Sequence, residues 1–250
     1  MKKRFFLIAV LCIAVSATAF CQKKTTTAPQ KKAPASVQKS PSTTKQHSTV
    51  NAVDNRLDGK EGLPEFEKTG GKPFLDILRE KEATCSISPE PLEARTVSAL
   101  LWAACGKTDA PESYTALYTG TKPCVDLYLV NQEGIYKYDR MEHKLNQIVH
   151  GHFLNQILPE EGDQSNAPIA LFYAYTPEEV EVTSENGENI RDLIAGINCG
   201  AIMQNVCLFC VNENLSCRQF TVSDVCKENL KRHLHGAHVE IIFAQSISRK

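Results

Sequence analysis

Four segments repeat apolar side chains every three or four positions, which is the spacing of an amphipathic helix. Small polar and glycine residues mark two of their ends: Ser223 is placed to cap a helix that follows it, and Gly106 suits the end of another. We therefore predict helices over Pro73–Glu82, Leu92–Cys105, Glu188 to about Asn214, and Val222–Leu234.

Other apolar stretches are short and either alternate with polar residues or run continuously, which indicates strands. The turn residues 131–134 join the first two of them and predict a hairpin. The strands predicted in this way are Val125–Val130, Ile135–Tyr138, Leu145–Val149, Ile169–Tyr175 and Val239–Ile247. Helices that flank a mostly antiparallel, hairpin-connected sheet give the α+β fold class.

The N-terminal pattern is different and predicts export. Lys2–Arg4 form a basic start and Phe5–Val15 an apolar run too short to favour a membrane anchor. We interpret residues 1–21 as a signal peptide cleaved after Cys21, which makes the protein periplasmic or secreted. The alternative is a lipoprotein anchored through Cys21, although Phe20 is larger than the residue that normally precedes a lipidated cysteine.

Residues 22–71 are predicted to be a flexible tether rich in Thr, Lys, Pro and Ser. Residues 22–50 contain no aromatic side chain and no acid, so they cannot bury enough apolar surface to offset chain entropy. The predicted folded domain spans residues 72–250. It is long enough to bury a sizeable core, and its 42% apolar composition over the whole chain excludes general disorder.

The balance of charge changes near residue 50, within the predicted tether. Residues 1–50 hold 9 Lys and Arg and no acid, while residues 51–250 hold 19 basic and 29 acidic side chains, a net charge of −10. A body this acidic argues against nucleic acid as a partner, because phosphate binding needs a basic face. We found no central apolar run of about 20 residues, so no transmembrane domain is expected in the mature chain.

Six blocks in the predicted domain, taken in order, resemble the nitroreductase superfamily, particularly its azoline dehydrogenase branch. The most specific are Leu-Leu-Trp-Ala-Ala at 100–104 and Gly-Ala-Ile-Met-Gln-Asn at 200–205. The resemblance covers residues 72–250. It implies an intertwined homodimer with FMN at the interface, NAD(P)H as the possible electron donor, and hydride transfer through flavin to a small electron-poor substrate. In such enzymes the flavin supplies the chemistry and the protein holds it, so the catalytic residues stay unknown.

The resemblance also assigns the cofactor contacts, and the chain departs from the family at each of them. An arginine-rich phosphate motif is replaced by residues 81–85, and a Pro-Ser pair beneath the flavin by bulkier side chains. A Gly-Leu-Gly turn becomes residues 214–216, and a basic residue near the end offers a phosphate partner. The candidate FMN-binding residues are Lys81, Ala83, Cys85, Leu117, Tyr118, Leu215, Ser216 and Arg249.

Two hypotheses follow from these replacements. One is a divergent FMN-dependent oxidoreductase with rewired contacts. The other is a cofactor-free pseudoenzyme that acts as a binding or structural dimer on the same scaffold. Losing arginine at a phosphate contact is not a conservative change, and this keeps the second hypothesis open.

The sequence contains 10 cysteines. Export would permit disulfides, but several cysteines lie in apolar helical patterns, where cysteine behaves as a small buried hydrophobe. Cys207 and Cys210 form a C-x-x-C inside the longest helix, which is the wrong place for a thioredoxin-like pair. Zinc binding would need His233, His235 or His238 at a spacing longer than that of zinc fingers. No disulfide and no metal ligand is assigned.

Overall fold

The structure, a computed structural model, describes residues 62–81, 86–158, 166–182, 187–234 and 238–250. The predicted signal peptide, most of the predicted tether, and the candidates Ala83 and Cys85 lie outside these residues. Within the described part a six-stranded sheet has the order β3-β2-β1-β4-β6-β5, and each pairing is antiparallel. The strands are β1 Val125–Asn131, β2 Gly134–Asp139, β3 Lys144–His150, β4 Ile169–Tyr175, β5 Leu215–Phe220 and β6 Glu240–Arg249.

Helices cover both faces of the sheet. They are α1 Phe74–Glu80, α2 Ala94–Cys105, α3 Leu154–Ile157, α4 Gly187–Asn212 and α5 Asp224–His233, with a 3-10 turn at Pro177–Glu179. One apolar cluster joins α2 and α4 to one face of the sheet, and a second joins α3 and α5 to the other face. The central strand β4 is buried along all seven residues because both of its faces are covered.

The predicted α+β class is confirmed, and so are the predicted helices and strands to within a few residues. Ser223 caps α5 as predicted, because its Oγ accepts from the Cys226 backbone N–H at 3.3 Å. Gly106 ends α2 with its N–H on the Trp102 carbonyl at 2.7 Å. A Cβ at Gly106 would lie 2.5 Å from the Trp102 ring, so only glycine fits this turn.

Two elements were not predicted. Strand β5 was missed because its sequence, Leu-Ser-Cys-Arg-Gln-Phe, is largely polar and lacks clear alternation. Helix α3 has only four residues, too few for a periodic pattern. Helix α1 differs in another way: its expected apolar face carries Phe74 at 60% exposure and Leu78 at 42%, and the helix has no buried residue.

Residues before the predicted start of the folded domain at Lys72 also pack against it, at least as far back as Leu63. Leu63 is buried, and its N–H donates to the His143 carbonyl at 3.4 Å. Ser98 Oγ donates to the Pro64 carbonyl at 2.6 Å, and Phe66 packs on Trp102 with ring centroids 5.5 Å apart. Four polar or charged side chains and two glycines in residues 65–71 hid this segment from a pattern of apolar residues.

Candidate functional site

Helix α4 organises the region to which the sequence assigned its candidate site. Small and branched side chains on one face, among them Cys199, Ile202 and Val206, are buried against the sheet and α2. Polar side chains on its flanks, Asn198, Gln204 and Asn205, reach the neighbouring loops. The candidate residues are therefore best located by their position along α4.

By length and apolar composition alone, residues Ile190–Asn212 of α4 could cross a membrane. The same helix packs one face into the core beside α2 and the sheet, as the central helix of a folded domain does. The expectation of no transmembrane domain stays a prediction.

Two asparagines hold the 114–124 loop onto α4. Asn198 accepts from the Thr119 N–H at 2.6 Å, and its amide donates to the Cys124 sulfur at 3.0 Å. Asn205 donates to the Thr115 carbonyl at 3.0 Å. Amide side chains suit this task because each offers both a donor and an acceptor to a loop backbone.

The candidates Leu117 and Tyr118 lie in this loop and differ in exposure. Leu117 is 73% exposed. Tyr118 is half-buried, packs edge-on against Tyr114 with ring centroids 5.8 Å apart, and donates to the Glu112 carbonyl at 3.4 Å. Both line a narrow cleft beside Asn198 and Ile202, so the loop faces α4.

Lys81 ends α1 and reaches the middle of α4. Its side chain is exposed, and its Nζ donates to Gln204 Oε1 at 3.0 Å. Lys72, just before α1, contacts the C-terminal end of α4. Its Nζ lies 2.9 Å from the Val211 carbonyl of α4 and 2.9 Å from the Glu80 carboxylate of α1. Lys81 therefore offers one cation beside α4, and its present partner is a neutral amide.

Leu215 and Ser216 do not form an open turn. They begin strand β5 and are buried, with Ser216 fully buried, and they pair with Arg249 and Ser248 in β6. The turn itself is Asn214, whose φ of 55° places it in the left-handed region that asparagine tolerates. Among the described residues, the buried Ser216 hydroxyl has no hydrogen-bond partner.

Arg249 lies at the end of β6 in a cleft of about 400 Å³. Its guanidinium donates to the Pro91 carbonyl at 3.3 Å and lies 3.5 Å from the Glu93 carboxylate. Glu90 and Glu213 also line this cleft, together with Lys250. The side chains of this cleft thus hold three carboxylates and two cations, a net charge of 2 − 3 = −1, which opposes binding of a phosphate.

The fold does not bring these candidates into one cavity of a single chain. Leu117 and Tyr118 lie beside Asn198, whereas Leu215 and Arg249 lie beyond the end of α4 at Asn212. At 1.5 Å per residue these two positions on the helix are about 21 Å apart. Lys81 lies between them, opposite Gln204.

FMN fits poorly to the residues placed here. The resemblance expects the backbone at Leu215 and Ser216 to approach the flavin, but both residues are buried at the start of β5. The cation expected to hold the phosphate, Arg249, is already paired with Glu93 in an acidic cleft. We therefore derive no catalytic step through a flavin.

A histidine network on the far side of α2 was missed by sequence reasoning. His143 Nε2 lies 2.9 Å from Ser98 Oγ, and its Nδ1 lies 2.8 Å from the Tyr138 hydroxyl. Because Ser98 donates its proton to Pro64, it accepts from His143 Nε2; in the neutral ring Nδ1 then accepts from the Tyr138 hydroxyl. Burial, and to a smaller extent Lys68, lower the pKa of His143.

A cluster of sulfur and amide groups was also missed. Cys207 on α4 faces Cys217 on β5 with 3.8 Å between the sulfurs, and Gln219 and Gln245 donate to them. The C-x-x-C pattern pointed instead to Cys210, which is buried in the main core cluster. Sequence reasoning could find the true neighbour only after strand β5 was recognised.

Comparison with solved structures identifies the scaffold. A Ralstonia eutropha protein provisionally described as a nitroreductase is 24% identical, with a TM-score of 0.65 over 75% of this chain and 87% of that one. A chain of the E. coli microcin synthetase McbBCD complex, solved with truncated pro-MccB17 bound, is 16% identical, with a TM-score of 0.59 over 82% and 85%.

A protein from Anabaena variabilis, also provisionally described as a nitroreductase, is 15% identical and gives a TM-score of 0.57 over 70% of this chain and 38% of that one. No family model and no curated protein sequence matches the chain. The chain therefore has a nitroreductase-like fold, which confirms the resemblance at the level of the scaffold.

Proposed function

We propose that this protein is a cofactor-free member of the nitroreductase-like fold that works as a binding or structural dimer. The observation that carries the proposal is the environment of Arg249. The cation that the resemblance assigns to a flavin phosphate is paired with Glu93 in a cleft that Glu90 and Glu213 also line. Carboxylates at a phosphate site repel the ligand that the site would have to hold.

A flavin titration tests this proposal. The purified full-length protein is expected to show no flavin absorbance and no saturable quenching of FMN fluorescence. Saturable binding that weakens in Lys81→Gln or Arg249→Gln would refute the proposal. Lys137→Gln is the matched control, because Lys137 is a partly exposed lysine paired with Asp126 on the sheet and is not among the candidate contacts.

The second candidate is the FMN-dependent oxidoreductase itself. It is favoured by the fold, which the solved nitroreductase-type proteins share, and by the position of Lys81 and the 114–124 loop along the same helix. In that case NAD(P)H would donate hydride and a small electron-poor molecule would accept it. Binding of FMN in the titration, followed by NAD(P)H oxidation, would support this candidate instead.

A second copy of the chain is the partner we propose for either candidate. Apolar side chains on α1 and α4 stay exposed in one chain: Leu75 at 77%, Phe74 at 60%, Leu193 at 62% and Ile197 at 43%. Large exposed apolar side chains on adjacent helices favour an interface, and the resemblance to the nitroreductase superfamily implies an intertwined homodimer. The E. coli relative belongs to a multi-protein complex, so a different partner chain is the competing possibility.

Oligomeric state can be read directly from light scattering during gel filtration. We expect the full chain to elute as a dimer, and Leu193→Asp with Ile197→Asp to elute as a monomer that keeps its circular dichroism spectrum. Val225 is a matched control, since it is 70% exposed on α5 at the other side of the sheet; Val225→Asp should stay dimeric. A wild-type monomer would contradict the homodimer.

We also propose that the protein is exported, because its basic and apolar N-terminal residues, followed by residues 22–50 without an acid, follow the pattern of a secretory signal and spacer. N-terminal sequencing of the mature protein tests this. A chain that starts at Gln22 is expected, and a lipid on Cys21 would establish the lipoprotein alternative.

A further inference from the structure

Two thiols face each other beneath α4 in a setting that the proposed function does not use. Cys207 lies on α4 and Cys217 on β5, ten positions apart in sequence, with their sulfurs 3.8 Å apart. Cys207 is buried, at 5% exposure, and Cys217 is half-buried. The sulfurs need to approach by only about 1.8 Å to reach the disulfide bond length of about 2.05 Å.

Two amide side chains donate to the sulfurs of the pair. Gln219 Nε2 donates to Cys207 at 2.8 Å, and Gln245 Nε2 donates to both sulfurs at 3.3 Å and to the Met203 carbonyl at the same distance. The Tyr173 hydroxyl donates to Gln245 Oε1, which leaves the NH₂ end of the amide facing the cysteines.

An amide N–H that donates to a sulfur favours the thiolate form, and for Cys207 this partly offsets the neighbouring Cys217 thiol and burial, which raise its pKa. Thiolate is the form that attacks a disulfide. Neighbouring cysteines differ in this respect: Cys210 is buried among apolar residues of the core, and Cys105 is fully buried. Cys124 also accepts from an amide, that of Asn198 at 3.0 Å, so what sets Cys207 and Cys217 apart among the described cysteines is the short distance between their sulfurs.

From this geometry we propose that Cys207 and Cys217 form a redox pair that a small-molecule disulfide converts into a bond between α4 and β5. The Cys217 thiolate attacks the oxidant, forms a mixed disulfide and releases one thiol of the oxidant. The Cys207 thiolate then displaces the second thiol and closes the protein disulfide. Two cysteine thiols are oxidised, the oxidant disulfide is reduced to two thiols, and the two protons pass from the cysteines to those thiols.

The order in which the two cysteines react follows from their exposure and from the pKa of Cys207. The neighbouring Cys217 thiol, followed by burial, raises the pKa of Cys207, so Cys207 is mostly protonated at neutral pH and reacts second. Cys217 is more accessible and is the point of entry. Oxidation should consequently become faster as the pH rises, because more of each thiol is then ionised.

Peptide mapping of the full-length protein tests the pair. The protein is treated with oxidised glutathione, its free thiols are alkylated under denaturing conditions, and it is cut with trypsin and a glutamate-specific protease. Cleavage after Arg191, Glu213 and Arg218 places Cys217 alone in fragment 214–218 and Cys207 in fragment 192–213. We expect these two fragments to be joined, with both cysteines lost from the alkylated pool, and to separate on reduction.

Variants distinguish this pair from its neighbours. In Cys207→Ser, fragment 214–218 should carry one glutathione and no cross-link, since the second thiol is missing. In Cys217→Ser, fragment 192–213 should stay fully alkylated. Cys210→Ser is the matched control, because it removes the other cysteine of the C-x-x-C and should leave the cross-link unchanged.

Three results would overturn the proposal. They are the absence of a joined fragment in the wild-type protein, persistence of the cross-link in Cys207→Ser, and accumulation of glutathione on wild-type Cys217 without closure. Mass-spectrometric fragmentation of the joined wild-type peptide identifies the bonded cysteine directly, so the assignment does not depend on a variant that folds.

Discussion

The packed interior beneath α2 keeps the features of the nitroreductase-like fold. The candidate FMN contacts beside α4 and beyond its end, which we call the rim, do not keep the expected cofactor contacts. In the interior, Leu100, Leu101 and Ala104 are fully buried against the sheet, in the segment that most resembles the nitroreductase superfamily. At the rim, Leu117 is exposed and Arg249 is paired with a glutamate. Close packing constrains the interior whether or not a cofactor binds, so the interior is evidence for the fold and only the rim is evidence for the activity.

The largest expected effect on stability comes from comparing the same substitution, leucine to alanine, in the interior and at the rim. Leu101→Ala should lower the free energy of unfolding by about 2–5 kcal/mol, because it leaves a cavity at a fully buried position. Leu117→Ala should change it by less than about 0.5 kcal/mol, since that side chain is 73% exposed. Urea unfolding measures both. Equal losses would show that the rim loop is part of the packed interior.

The next effect concerns the connection between the two regions. Asn198→Ala removes the side chain that bonds both the backbone N–H and the backbone carbonyl of Thr119. Backbone groups left without partners cost about 1–3 kcal/mol. The control is Asn229→Ala, which removes an exposed bond to the Gln156 carbonyl and should cost less. Faster hydrogen exchange in residues 115–124 of the Asn198 variant alone would locate the loss; unchanged exchange there would contradict it.

A pH dependence is expected from the strap that residues 62–66 form over α2. Folding lowers the pKa of His143 below its ordinary 6.5, so below about pH 6.5 the unfolded chain binds a proton that the folded chain does not. Stability due to this residue should be complete above pH 6.5 and decline as the pH falls through the folded pKa.

Urea unfolding at pH 7.5 and pH 5 tests that sign. His143→Gln, which cannot titrate, should lose less stability between the two values than the wild-type protein. An equal loss in both would assign the dependence to other groups.

The smallest effect is expected at the rim position Ser216. Its buried hydroxyl lacks a partner among the described residues, so Ser216→Ala should leave stability unchanged or raise it by up to about 1 kcal/mol. Ser98→Ala is the matched control: it removes a buried hydroxyl that bonds both Pro64 and His143 and should destabilise. A destabilised Ser216→Ala would mean that the hydroxyl has a partner in the assembled protein.

Local periodicity predicted the elements that bury a regular face. Helix α2 and strand β4 follow from the spacing of their apolar residues, and Ser223 follows from the chemistry of a helix cap. The pattern failed where burial comes from distant contacts. Leu63 is buried under a partly polar segment, and strand β5 is polar because it lies at the edge of the sheet.

The candidate site was predicted only in part, because a resemblance gives positions along the chain and not their surroundings. It located Leu117 and Arg249, but the Glu93 partner lies 156 residues away in sequence. The C-x-x-C pointed from Cys207 to Cys210, whereas the facing sulfur belongs to Cys217. Pairs of this kind depend on which strand lies beneath the helix, and no short spacing encodes that.

The position of β6 between β4 and β5 has a consequence for folding kinetics. Strand β5 precedes β6 in the chain, yet among the described strands it pairs with β6 alone. During synthesis β5 therefore has to wait for residues 240–249 before it can join the sheet, and such non-local pairing forms slowly. Gln245 arrives on that same strand, so the hydrogen bonds that surround Cys207 and Cys217 are completed in the last stage of folding.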